Sequence, residues 1–176
     1  MDFRVLYCHV DPHLVTKRLV RNPNYGGGPC DVPGCVTIPL VERAMKPRFF
    51  SALEADVASN GFRNPALVYG TSQGVLLQFG GSRVKIAKRL DTAIPVILVD
   101  YTGEWEGEEV TPDNWQTFFM DVPVLFEFTE YGVDTHYSLE RNRRQTFDPK
   151  GLAWVPADND FIDHEFPWIG EYDEEA

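Results

Sequence analysis

Short apolar runs bounded by Gly, Pro, Asn and Asp recur along the chain, and the clearest lies between Gly74 and Asp100, reading GVLLQFGGSRVKIAKRLDTAIPVILVD. Val75, Leu76, Leu77 and Phe79 form a run too short for a buried helix and of the right length for a buried strand. Gly80 and Gly81 then permit a sharp turn with no Cβ to obstruct an approaching ligand. Ser82 is a favoured N-cap residue, and the residues after it contain no Gly or Pro, so a helix is predicted to begin there. Val84, Ala87 and Leu90 recur at helical spacing as its apolar stripe, while Arg83, Lys85, Lys88 and Arg89 make its remaining surface basic. A second buried strand is predicted from Ile94 to Val99, with Pro95 at its start. A strand, a Gly-Gly turn, a helix N-terminus and adjacent cations together make an anion site, because free N–H groups and the helix dipole favour a phosphate there. The same pattern also describes a plain β–α–β unit whose glycines only turn the chain.

The flanking pattern adds further elements. Phe3 to Val10 reads as a first strand, and His13 to Val20 as a short helix or an extended arm. NPNYGGGPCDVPGC is a loop: its three glycines, Gly26 to Gly28, lack the Gly-Lys-Ser/Thr and the helix that a phosphate loop requires. Val36 to Val41 is a short strand whose Pro39 places it at a sheet edge or a strand end. Arg48 to Asn60 is predicted to be a helix with Phe49/Phe50, Leu53 and Val57 on its apolar side and Asn60-Gly61 as its stop. Ala66 to Tyr69 forms a strand, and GTSQG turns it back into the central one. Beyond Asp100, Trp105, Trp115 and the stretch Thr117 to Thr129 read as strands broken by Pro123. Arg141, Arg143 and Arg144 form a second basic cluster, of the kind most often found as solvated surface.

Composition narrows the classes. The 176 residues are 43% apolar and 13% aromatic, as expected of a folded chain in one domain with an appended segment. No apolar run approaches the roughly 20 residues that cross a bilayer, and the N-terminus is too mixed for a signal peptide, so a cytoplasmic location is expected. The net charge of −11 is uneven. Residues 157–176 hold eight acids and no Lys or Arg, which leaves about −3 for the rest. Such a balance argues against a bulk electrostatic grip on DNA, which needs clustered cations. The acidic tail is also rich in Phe161, Ile162, Phe166, Trp168, Ile169 and Tyr172, which suits docking on a surface, its own or a partner's, rather than disorder. Cys30 and Cys35, with Cys8, His9 and His13, are candidates for a zinc site. The spacing lacks a second matched pair, so loop or buried thiols are the expected state and no metal site is assigned.

From Val36 to Tyr101 the order of elements resembles the ParB/sulfiredoxin-like superfamily. The pieces that carry the resemblance are LEADVASNGFRNPALVYG, GVLLQFGGSRVKIAKRL and IPVILVD. The Asn-Gly and Asn-Pro pair is similar to the first ParB box. The Gly-Gly turn and Ala87 are similar to the Gly-Glu-Arg-Arg box of ParB proteins and to the Phe-Gly-Gly-Cys-His-Arg box of sulfiredoxins. The resemblance implies a divergent α/β (α+β) fold: a ParB/sulfiredoxin-like mixed sheet with a strand–GGSR–helix unit and a β-rich C-terminal extension. The segments would be an N-terminal strand and Gly/Pro-rich loop (1–35), the core (36–101), the extension (102–156) and the tail (157–176). In the family the matching segments line a nucleotide pocket, which implies ligand contacts from Asn60, Gly61, Asn64, Pro65, Gly80, Gly81, Ser82, Arg83 and Lys85. Its ligand would be a nucleoside triphosphate or diphosphate with Mg²⁺.

Departures from the boxes shape the function. Ser82 stands where sulfiredoxins carry the reactive Cys and ParB-like nucleotidases a Glu, and Val84 stands at the second ParB Arg. A hydroxyl is neither a thiolate nor a carboxylate, which argues against sulfinic-acid reduction and against metal holding at that position. Ser82 and Arg83 are the catalytic candidates of a nucleotide hydrolase or phosphotransferase if the domain turns over a substrate. Asp56, Glu54 and Asp100 are the only nearby substitutes for the missing carboxylate. The leading expectation is thus a nucleotide- or phosphate-binding domain. The alternatives are a non-enzymatic interaction or inhibitor protein using the acidic tail, and a ParB-like nuclease or DNA-modification accessory. No helix-turn-helix pattern follows the core, which argues against partition-type DNA binding. The abbreviated box, small size and acidic balance are similar to those of bacteriophage or mobile-element proteins, acting in the host cytoplasm.

Overall fold

Alternating or continuous runs of Val, Leu and Ile supply strands wherever Gly or Pro does not intervene, and in the computed structural model those runs converge on one sheet. Residues 2–21, 30–40, 47–119, 125–136, 145–148 and 153–156 are described. The elements are β1 (Arg4–Val10), β2 (Val15–Arg21), β3 (Cys35–Pro39), α1 (Pro47–Asn60), β4 (Ala66–Thr71), β5 (Gly74–Phe79), α2 (Gly81–Leu90), β6 (Ile94–Asp100) and β7 (Glu108–Glu109). Two hairpins follow, β8 (Leu125–Thr129) with β9 (Gly132–His136), and β10 (Gln145–Asp148) with β11 (Ala153–Pro156). The seven-stranded sheet has the order β3-β2-β5-β4-β6-β1-β7. β2 runs parallel to β5 and β4 parallel to β6, while the other neighbours are antiparallel. The architecture is therefore mixed α+β. No helix among the described residues is long and apolar enough to cross a membrane.

Several sequence expectations take definite form. The His13–Val20 stretch is a 3-10 turn, Pro12–Leu14, followed by a strand. β3, with its Pro39, is an edge strand. The unit around the Gly-Gly turn is not a plain β–α–β repeat: β5 is antiparallel to β4, β4 is parallel to β6, and β4 lies between the other two. The hairpin and α2 together form the crossover that brings β6 alongside β4. The sheet also takes in β1 and β2 from before residue 36 and β7 from after residue 101.

The two faces of the sheet differ. On one, Val68, Val75, Leu77, Val96 and Leu98 pack beneath Val84 and Ala87 of α2. Each such fully buried aliphatic side chain contributes about 1.5–3 kcal/mol. Ile86 is buried with Val84 and Ala87, whereas Leu90, assigned to the stripe from its spacing, is 37% exposed. The other face is covered by aromatic side chains. Trp115 stacks on Phe126 (5.0 Å), Tyr7 on Phe118 (4.7 Å) and Phe3 on Tyr101 (5.4 Å). The β8–β9 hairpin is fixed there by Tyr69, whose hydroxyl donates to the Val133 carbonyl and accepts from the Val133 amide, both at 2.8 Å.

Between Leu67 and Val68 the β4–β5 register shifts, so that Leu67 faces Phe79 and Val68 faces Leu77. Gln78 is the extra residue of this bulge. A bulge moves the next side chain to the other face, and accordingly Leu77 packs on the α2 side while Phe79 joins the aromatic side. The bulge sets the direction in which the chain enters the Gly80–Gly81 turn.

Candidate functional site

The turn is built by its glycines. Gly80 has φ 103° and serves as the N-cap of α2, a left-handed conformation open to glycine at little cost. A Cβ there would lie 2.9 Å from the Ala66 Cβ, so the position is closed to larger residues by packing as well. Ser82 is consequently the second residue of α2 and not its cap. Its hydroxyl makes no hydrogen bond among the described residues. The first helical bond runs from the Val84 amide to the Gly80 carbonyl (3.1 Å). The amides of Gly81, Ser82 and Arg83 precede it and have no acceptor within the helix.

Arg83 is the centre of the site. One of its Nη atoms donates to the carbonyls of Asn64 (2.8 Å) and Pro65 (2.9 Å). The guanidinium lies 5.5 Å from the centroid of the Phe79 ring, and its other Nη is 3.0 Å from where a Gly80 Cβ would stand. The side chain thus folds back over its own helix N-terminus and joins the 64–65 loop to the 80–83 turn. No acid occupies the first turn of α2, so the dipole and the guanidinium add. The last turn carries Lys88 and Arg89, where cations suit the dipole.

The other sequence-derived residues are placed around this pair of loops. Gly61 ends α1, its amide donating to the Val57 carbonyl (2.8 Å), and Asn60 Nδ2 donates to Asp56 (2.9 Å). The Lys85 ammonium lies 5.2 Å from the Phe50 ring centroid. Asn64, Pro65 and Gly80 to Arg83 are brought together. Asn60 and Lys85 are engaged elsewhere.

The three substitute carboxylates are all held by arginines. Asp56 receives Arg63 through two nitrogens, at 2.9 and 3.0 Å. Glu54 pairs with Arg89 at 2.8 Å. Asp100, 1% exposed, receives Arg4 at 2.7 Å with the amides of Thr102, Gly103 and Trp105. Burial pushes the Asp100 carboxyl up, but the hydrogen bonds from Arg4, Thr102 and Trp105 outweigh it and hold it below the ordinary range. Asp56 is likewise lowered, burial being overcome by Arg63 and Asn60. These three carboxylates are therefore occupied in ion pairs with Arg63, Arg89 and Arg4.

The candidate zinc set is not assembled. Cys30 and Cys35 are joined to each other as a disulfide, in place of the expected loop thiols. His13 faces Asp91 at 3.3 Å, and burial pushes the Cys8 thiol up to about 11. No metal-holding group of three or more His, Cys, Asp or Glu occurs among the described residues. The triple glycine (26–28), the arginine cluster (141–144) and the acidic tail (157–176) lie outside the described residues.

Phe79 and Gln78 carry no functional signal in the sequence pattern. Phe79 was legible only as a strand residue, yet it underlies Arg83. Gln78, beside the turn in sequence, carries a buried Oε1 with no hydrogen-bond partner among the described residues. In the sequence it stands out only as a polar residue inside an apolar run. No family model, curated protein or solved structure matches this chain.

Proposed function

We propose that this protein is a ParB/sulfiredoxin-like binding domain that receives an anion, of the phosphate-ester class, at the Gly80–Arg83 turn. The observation that carries the reading is the guanidinium of Arg83 lying over the N-terminus of its own helix, with no acid in the first turn. A cation at that end opposes the helix dipole unless an anion or carbonyl oxygens face it. A nucleoside di- or triphosphate with Mg²⁺ is the ligand that the resemblance adds. Ser82 contributes a hydroxyl donor, and Arg83 a charge already oriented by the 64–65 carbonyls. Binding, rather than turnover, fits a site whose three candidate carboxylates, Glu54, Asp56 and Asp100, are each paired with arginine.

A second reading rests on the same side chain. Arg83 donates to two backbone carbonyls, which supports a structural clamp joining two loops. Calorimetric titration with inorganic phosphate, CTP, ATP, ADP and GTP, with and without Mg²⁺, separates the two. The binding reading predicts saturable uptake by the intact protein and about 10- to 100-fold weaker binding by Arg83→Ala, the range of one charge-assisted contact. No uptake of any of these ligands, with a lower melting temperature for Arg83→Ala, leaves the clamp alone.

A further inference from the structure

On the α2 side of the sheet, β2 and β3 carry an apolar strip that no described element covers. Arg18 pairs with Ile38 and Val20 with Val36, so these side chains share one face. Leu19 and Cys35 lie on the opposite, buried face. Ile38 is 38% exposed and Val20 39%. At the other end of β2 stand Leu14 (49%) and Leu90 (37%), connected through the His13–Asp91 contact beside them. Four of the five large apolar residues exposed among the described residues therefore belong to this side. Its charged neighbours are the cations Arg18, Lys88 and Arg89, the last paired with Glu54, and the acid Asp91.

We propose that the acidic, aromatic segment 157–176 of the same chain covers this strip. The complementarity is of two kinds. The segment supplies Phe161, Ile162, Phe166, Trp168 and Ile169 to apolar surface, and eight carboxylates with no Lys or Arg to the margin that carries Arg18 and Lys88. Reach does not limit it: twenty residues extend to about 66 Å, against a radius of gyration of about 16 Å for a domain of this length. A second copy of the chain fits less well, because it would bring the same cations against each other.

The test uses the full-length protein with Ile38 replaced by the photo-crosslinking residue p-benzoylphenylalanine. Crosslinks at monomer mass to peptides within 157–176 are expected. Crosslinks at dimer mass, or none to that segment, overturn the proposal. In parallel, chymotryptic cleavage after Phe161, Phe166 and Trp168 is followed in Val20→Glu/Ile38→Glu and in Arg18→Glu, a change at an exposed position, with circular dichroism to check that each variant is folded. Cleavage of a docked segment follows its open fraction, so about a tenfold faster cut in the double variant, and a smaller acceleration in Arg18→Glu, is expected. Rates equal to the unmodified protein in both variants overturn it.

Discussion

At the scale of single residues, the best-satisfied polar group is Asp100. Its side chain is fully buried, and its two oxygens accept from Arg4, the Thr102 hydroxyl and three backbone amides. The carboxylate fixes the exit from β6 and ties it to the N-terminal strand through Arg4, whose guanidinium also donates to the Trp105 carbonyl. Asp100→Ala leaves the backbone amides without an acceptor, while the half-exposed Arg4 regains water, and is expected to cost about 1–3 kcal/mol in urea unfolding, the range for stranding buried donors. A loss below about 1 kcal/mol would mean that water replaces the carboxylate. The same scale shows where sequence reading stopped. Ser82 satisfied the N-cap preference, but a preceding left-handed position that only glycine suits moved the cap to Gly80. Arg83 was legible as a cation beside a turn. Its carbonyl partners lie 18 and 19 residues away and have no local signature.

At the scale of elements, the strands β4, β5 and β6 and helices α1 and α2 were legible, because their periodicity and stop signals are local. The neighbours of those strands were not, since the β1–β6 and β2–β5 pairings join residues far apart in sequence. The β8–β9 hairpin is the clearest case. Its first strand, β8, lies in the apolar stretch that ends at Thr129, whereas β9 was not legible as a strand and the docking depends on Tyr69, 64 residues earlier. Gly132 sits at φ 135° in the approach, and a Cβ there would meet the Tyr69 ring, with Cζ at 2.9 Å. Gly132→Ala is therefore expected to displace the hairpin. Tyr69→Phe is expected to strand the buried Val133 amide and carbonyl at about 1–3 kcal/mol. Both changes act on one contact, so the double variant should lose less than the sum in a denaturation cycle. Strict additivity would show that the hairpin is held independently of Tyr69.

At the scale of the whole molecule, buried ionisable groups on both sides of neutrality set a stability plateau. Asp56 and Asp100 have folded-state pKa values below the ordinary 3.8. Their contribution is complete above the unfolded value and is lost as pH falls through it towards the folded one, beginning near pH 5. Cys8 has the opposite sense. Burial, with Asp100 second, raises its thiol from 9.0 to about 11, and Tyr7 is raised by burial and by Glu108. For these two the fold favours the neutral form, so their contribution is complete below the unfolded pKa and is lost as pH rises through the folded one. For Cys8 that window runs from about 9 to about 11. Urea unfolding from pH 3 to pH 11 should therefore show a plateau between about 5 and 9 with a decline on each side. Cys8→Ser should flatten the first part of the alkaline limb and leave the acid limb unchanged. Asp56→Asn should lower the plateau while weakening the acid dependence, because the variant has already lost what protonation would remove. An acid limb of unchanged slope in Asp56→Asn would place the acid sensitivity in other carboxylates and leave the Arg63 pair a surface contact of little consequence.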